Sequence, residues 1–149
     1  MISQKAKYAL KALVALGRAP EGKPSSIRDL AARETIPQSF LEQILIELRR
    51  AGFVESRRGK DGGYLLAQPP SSIGLGRVLR LLDGPLAPLP CLSRTAYRRC
   101  SDCADEANCT VRRIFQDMYE TTVEIMDRTT LKDAIDAPAE TTDRLQLSS

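Results

Sequence analysis

The chain has 149 residues, 42% hydrophobic and 28% charged, with a formal net charge of +3, four cysteines and no histidine. That length buries one ordinary core with an appendage and needs no disulfide support, and no apolar run approaches the roughly 20 residues that span a bilayer. With no histidine base, no serine nucleophile elbow and no dinucleotide fingerprint, an enzyme is not expected.

The first residues, Met-Ile-Ser-Gln-Lys-Ala-Lys-Tyr, carry no export pattern. A cytoplasmic protein is therefore expected, in which clustered cysteines serve metal binding or redox chemistry rather than structural disulfides. Residues 1–80 hold 14 Lys and Arg against 7 Asp and Glu, a net of +7, whereas residues 81–149 hold 8 against 12, a net of -4. The basic part suits a polyanionic partner.

A first helix is predicted from Ser3 to Arg18, with Ala6, Leu10, Leu13 and Val14 on its apolar stripe, ended by Pro20 and Gly22. Ser25 or Ser26 caps a second helix through Ile27, Leu30 and Ala31. A break at Thr35-Ile36-Pro37 leads into a third helix from Gln38 to Ala51. Leu41, Ile44, Leu45 and Leu48 form its buried stripe, which leaves Gln38, Ser39, Glu42, Gln43, Arg49 and Arg50 on other faces. Those side chains match base edges and phosphates: Gln pairs with adenine, Glu accepts from cytosine, and Arg reaches guanine or phosphate.

Gly52 stops that helix, and strands at Phe53–Ser56 and Tyr64–Ala67 flank the glycine-rich stretch Arg57-Arg58-Gly59-Lys60-Asp61-Gly62-Gly63. Arg57, Arg58 and Lys60 are placed to reach phosphates or a minor groove. No Gly-Lys-Ser/Thr opens a helix there, so a nucleotide-phosphate loop is not expected. The order of elements is that of a winged helix-turn-helix. A short helix from Ser71 or Ser72 to Gly84, with Val78, Leu79, Leu81 and Leu82 apolar, then ties the wing to the C-terminal part of the chain.

Cys91, Cys100, Cys103 and Cys109 all lie in one turn-rich stretch outside the expected cores. Four thiolates suit an iron–sulfur cluster, a tetrahedral zinc site or a thiol–disulfide switch, and spacing alone leaves these open. A long helix runs from Thr110 to Arg128, with Val111, Ile114, Phe115, Met118, Ile125 and Met126 apolar. Its stripe needs a partner, which we expect to be both helix one and a second subunit, because helix-turn-helix proteins commonly bind DNA as dimers. The expected organisation is a DNA-binding domain at 1–84, a cysteine-rich sensor loop at 85–109, a dimerisation helix and short C-terminal helix at 110–136, and an unstructured tail at 137–149.

Four segments carry a resemblance: Lys7-Tyr-Ala-Leu10, Ser39-Phe-Leu-Glu-Gln-Ile-Leu45, Leu48-Arg-Arg-Ala-Gly-Phe-Val54 and Arg58-Gly-Lys-Asp-Gly-Gly-Tyr-Leu-Leu66. With cysteines just before a long helix, the chain resembles the Rrf-type (Rrf two) family of bacterial repressors, which includes the iron–sulfur regulator IscR, the nitric-oxide sensor NsrR and the iron regulator RirA. The resemblance implies a mainly helical winged fold with a long C-terminal dimerisation helix. It places Ser39, Glu42 and Gln43 where the family reads bases of double-stranded DNA, and Arg58 on the wing arginine. It favours an iron–sulfur cluster, 2Fe-2S ahead of 4Fe-4S, with zinc as the alternative metal. Cys91, Cys103 and Cys109 match the family's three cysteines, Cys100 is an addition, and Arg112 stands where IscR has a histidine ligand. Asp102, Asp105, Glu106 or a residue of a second subunit are the possible oxygen ligands. The rival expectation is a metal or thiol-redox module that regulates a partner protein.

Overall fold

The computed structural model describes residues 2–138 and is mainly helical, with one antiparallel hairpin. Helix α1 (Gln4–Arg18) begins where the Ser3 hydroxyl accepts from the Ala6 N–H, a cap that stabilises such a helix by about 1 kcal/mol. Its buried face is Ala6, Ala9, Ala12, Leu13, Ala15 and Leu16. The stripe expected from the sequence is therefore only half right: Leu10 and Val14 are half-buried at the edge of the core. Alanines occupy the centre because α1 is packed on several sides, by α2, α3, α4, α6 and the second strand, and close approach there leaves no room for larger side chains.

Ser26, the second of the two expected caps, starts helix α2 (Ile27–Glu34) by accepting from the Asp29 N–H. Thr35 turns the chain in a left-handed conformation (φ 55°, ψ 51°), and helix α3 (Gln38–Arg50) comes next. Leu41, Ile44, Leu45 and Leu48 are fully buried, as their spacing requires. Gly52 at φ 78° reverses the backbone after α3.

Strands β1 (Val54–Arg57) and β2 (Gly63–Leu66) pair with Val54 opposite Leu66 and Arg57 opposite Gly63, one residue off the expected bounds. A connection that the sequence pattern does not signal anchors this hairpin. Ser25 and Tyr64 exchange both backbone hydrogen bonds at 2.8 Å, so the α1–α2 connection adds a bridge to the sheet. A Cβ on Gly63 would stand 2.2 Å from the Ser25 carbonyl oxygen, which makes glycine a requirement of that approach.

The single helix expected after Pro70 is broken into a 3-10 turn (Pro70–Ser72) and helix α4 (Leu75–Asp83). Ile73 between them is fully buried and bonds to Leu131, so the chain must leave helical geometry there. Val78 and Leu79 are buried, whereas Leu81 is exposed. Arg77 lies 5.3 Å over the Phe53 ring, and Asp83 accepts from both the Ser3 N–H, at 2.8 Å, and the Ser3 hydroxyl. These contacts seat α4 on the winged unit.

A second 3-10 turn at Pro90–Leu92 precedes helix α5 (Thr110–Arg128) and helix α6 (Leu131–Asp136). Helix α5 packs on α4 and on that turn. The expected return onto α1 is made by α6 instead. Two cores result: a large one inside the winged unit and a smaller one of Cys91, Leu92, Tyr119 and Val123, with Phe115 and Met126 packed against it. The tail expected to be unstructured from 137 lies, beyond Pro138, outside the described residues.

Candidate nucleic-acid interface and metal centre

On α3, at about 100° per residue, Gln38, Ser39, Glu42, Gln43, Arg49 and Arg50 fall on one arc opposite the buried leucines. All are exposed except Glu42, which is half-buried. Gln38 Nε2 donates to Glu42 Oε1 at 3.1 Å, holding the two side chains side by side at the start of the helix. At its other end Arg49 donates to Ser56 Oγ at 3.1 Å, linking α3 to β1. Glu47 is held off this face by Lys5, whose Nζ lies 2.6 Å from Oε1.

The hairpin extends the cationic surface. Arg57 is tethered, donating to the Gly22 carbonyl at 3.2 Å and lying 3.6 Å from Glu55. Arg58 and Lys60, both exposed, have no hydrogen-bond or ion-pair partner among the described residues. A solvated, uncommitted cation is suited to phosphate, since no internal partner must be given up.

All four cysteines line one cavity of about 450 Å³, with Leu89, Asp102, Asp105, Glu106 and Arg112 around them. The expectation that no cysteine enters a core is corrected by Cys91, which is 5% exposed and belongs to the smaller core. Its neighbours Tyr119 and Val123 are on α5. Burial first, and a hydrogen bond with Cys100 second, push the Cys91 thiol up from its ordinary range. Cys109 caps α5, its Sγ accepting from the Arg112 N–H at 3.4 Å. A sulfur at a helix N-terminus faces the positive end of the helix dipole.

The oxygen ligands considered from the sequence are differently placed. Asp105 is committed to Asn108 Nδ2 and the Ala107 N–H, which in that order hold its carboxyl below its usual range. Glu106 accepts from the Tyr97 hydroxyl at 2.5 Å, raising the Tyr97 phenol, and lies 3.7 Å from Arg112. Asp102 lines the cavity exposed and without a partner among the described residues. The donor set of four thiols around one cavity fits a thiolate-ligated centre. Among the described residues no three His, Cys, Asp or Glu side chains are already converged to hold an ion.

Residues 2–137 match the family model Rrf2, described as iron-dependent transcriptional regulator. The chain belongs to the Rrf2 family. It is 45% identical over 140 residues to a Rhodobacter capsulatus protein described as a putative rrf2-like HTH-type transcriptional regulator, covering 92% of this chain and 93% of that one. The structure of CymR, the global cysteine regulator of B. subtilis, superposes with a TM-score of 0.75 at 30% identity, covering 91% of this chain and 95% of that one. T. potens IscR superposes at 0.71 with 27% identity over 91% and 85% of the two chains. The chain is accordingly a winged helix-turn-helix transcriptional regulator of the Rrf2 family, which binds DNA and is not an enzyme. Among the described residues no helix is long and apolar enough to cross a membrane.

Proposed function

We propose that this Rrf2-family chain is a homodimeric, cytoplasmic repressor whose hold on its operator is set by an iron–sulfur cluster bound to Cys91, Cys100, Cys103 and Cys109. The observation that carries the reading is that these four thiols line one cavity and the last of them caps α5, the helix packed on α4. A 2Fe-2S cluster there would supply a centre sensitive to iron supply, oxidants or nitric oxide.

The protein's own residues supply the rest. Cys109 contributes to the first turn of α5 as its cap, so a change in what that sulfur binds bears directly on the helix start. Helix α5 packs on α4, and α4 packs on α1 within the winged unit. Val111, Ile114, Met118 and Ile125 are between 50% and 63% exposed along α5, an unsatisfied stripe that a second copy of the chain would cover. Pairing there fixes the spacing of two α3 helices against successive major grooves. In each head Ser39, Glu42 and Gln43 read bases with Gln38 supporting Glu42, while Arg49, Arg50, Arg57, Arg58 and Lys60 hold phosphates. On this reading 1–84 is the DNA-binding unit, 85–109 the sensor loop and 110–136 the dimerisation segment.

One observation favours a second reading. The Cys91–Cys100 contact suits a thiol–disulfide switch, and the solved relative CymR is named a cysteine regulator. In that version the loop, carrying zinc or a disulfide in place of a cluster, acts as a metal or redox module on a partner protein. Purification without oxygen, followed by absorption spectroscopy with iron, acid-labile sulfide and zinc analysis, separates the two. Matching iron and sulfide with charge-transfer absorption supports the cluster. A colourless protein with zinc, or with no metal after reconstitution, refutes it.

A further inference from the structure

Arg112 sits on the first turn of α5 and lines the same cavity as the four cysteines. Its guanidinium faces two ways. Nη1 lies 3.7 Å from Glu106 Oε2, beyond hydrogen-bond length, and the other oxygen of that carboxylate is taken by Tyr97. Nε is closed to solvent and has no hydrogen-bond partner, alone in this among buried side-chain nitrogens and oxygens of the described residues. A buried donor on a charged group is ordinarily satisfied, because its desolvation is otherwise uncompensated.

We infer that Arg112 is a positioning residue for the metal centre, supplying the counter-charge and an Nε–H donor to the thiolate-rich anion formed by Cys91, Cys100, Cys103 and Cys109. This rests on the reading of those cysteines as ligands and goes beyond it. Four thiolates around one divalent zinc or cadmium ion make a dianion, and so do four thiolates around two ferric ions and two sulfides. A dianion in a partly closed cavity needs compensation, and no lysine lines this one. The same charge sets redox behaviour. Adding an electron to the cluster makes a trianion, which a neighbouring cation stabilises more than it stabilises the dianion, so Arg112 raises the reduction potential.

The test uses the full chain as parent, Arg112→Gln and Arg112→Lys, each with two probes. Cadmium titration of the reduced, metal-free protein is followed by its thiolate charge-transfer band. In parallel, the proteins reconstituted with iron and sulfide are titrated electrochemically. The expected result is a cadmium affinity about tenfold weaker in Arg112→Gln, partly restored in Arg112→Lys, with the thermal midpoint little changed. The reduced-to-oxidised ratio at fixed potential should fall by about tenfold, which is about 59 mV for one electron. Parent-like cadmium affinity in Arg112→Gln, or a parent that binds no cadmium through its cysteines, overturns the inference. If cadmium binding depends on Arg112 but the parent takes up no iron and sulfide, the cluster reading falls and the role of Arg112 stands.

Discussion

Arg80 of α4 donates to Asp127 of α5 through a 2.7 Å bond between Nη1 and Oδ1. The same carboxylate oxygen occupies the space that a Cβ on Gly76 would need, lying 2.2 Å from that position. The pair therefore closes the joint between the helix seated on the winged unit and the helix that begins at Cys109. Asp127 raises the Arg80 guanidinium, chiefly through this bond.

If the joint transmits the state of the cysteine loop, Asp127→Asn should uncouple the two ends of the molecule. Iron and sulfide content should stay at the parental level, while the ratio of DNA affinities between loaded and metal-free protein shrinks severalfold. Because both side chains are partly solvated, the stability loss should be at most about 1 kcal/mol. A parental affinity ratio in Asp127→Asn, measured by fluorescence anisotropy in both states, would rule out transmission through this joint.

Arg58 and Glu42 should fail in different ways. Arg58 is exposed and uncommitted, so Arg58→Ala should weaken binding to every sequence alike and reduce the salt slope by about 1. Glu42 is held by Gln38 at 3.1 Å on the face of α3 opposite its buried stripe. Glu42→Ala should change base preference, with discrimination at a contacted position altered by about 1–3 kcal/mol. Binding to a library of operator variants at two salt concentrations distinguishes these outcomes, and identical preference profiles for parent and Glu42→Ala would exclude a base-reading role.

Ile114 is 58% exposed and Met118 is 63% exposed, one turn apart on α5. Charge placed in a self-complementary interface meets itself across the symmetry axis. Ile114→Glu with Met118→Glu should leave the helix content of the protein unchanged and convert it to a monomer, with operator binding lost or reduced by about 100-fold, since two heads no longer act together. Sedimentation equilibrium checks this, and an intact dimer would place the interface elsewhere.

Asp133 accepts from the Thr130 N–H and hydroxyl, both at 2.7 Å, closing the capping box of α6. The Thr130 bonds hold its carboxyl below the usual range. A depressed carboxyl contributes stability that is fully present above its unfolded pKa, near about pH 4, and is lost as pH falls through the folded value. Asp133→Ala should therefore be less stable than the parent at neutral pH, with the difference shrinking in acid. Urea unfolding across that range measures it, and a pH-independent difference would assign the loss to something other than the charged cap.

The third helix was legible because its apolar side chains face a single core: Leu41, Ile44, Leu45 and Leu48 repeat at helical spacing and are all fully buried. The same logic misplaced Leu10 and Val14. On α1 the most enclosed positions, Ala6, Ala9 and Ala12, are small because neighbouring helices come close, so size ceases to mark the core. The exposed cations of the wing could be read from Arg57, Arg58 and Lys60 directly. The bridge that anchors it could not, since Ser25 and Tyr64 meet through backbone groups 39 positions apart. Likewise the clustering of four cysteines was plain, but the burial of Cys91 depends on Tyr119 and Val123, which arrive only when α5 folds over the turn at Pro90–Leu92.

Whether the four-cysteine cavity governs DNA binding is decided by operator affinity at one fixed salt concentration, for anaerobic protein carrying iron and sulfide and for the same protein after chelation. The two affinities should differ by at least about tenfold, roughly 1.4 kcal/mol, and replacing Cys109 with alanine should abolish the difference. Equal affinities in the two states, with iron and sulfide verified in the first, would contradict control by the cavity.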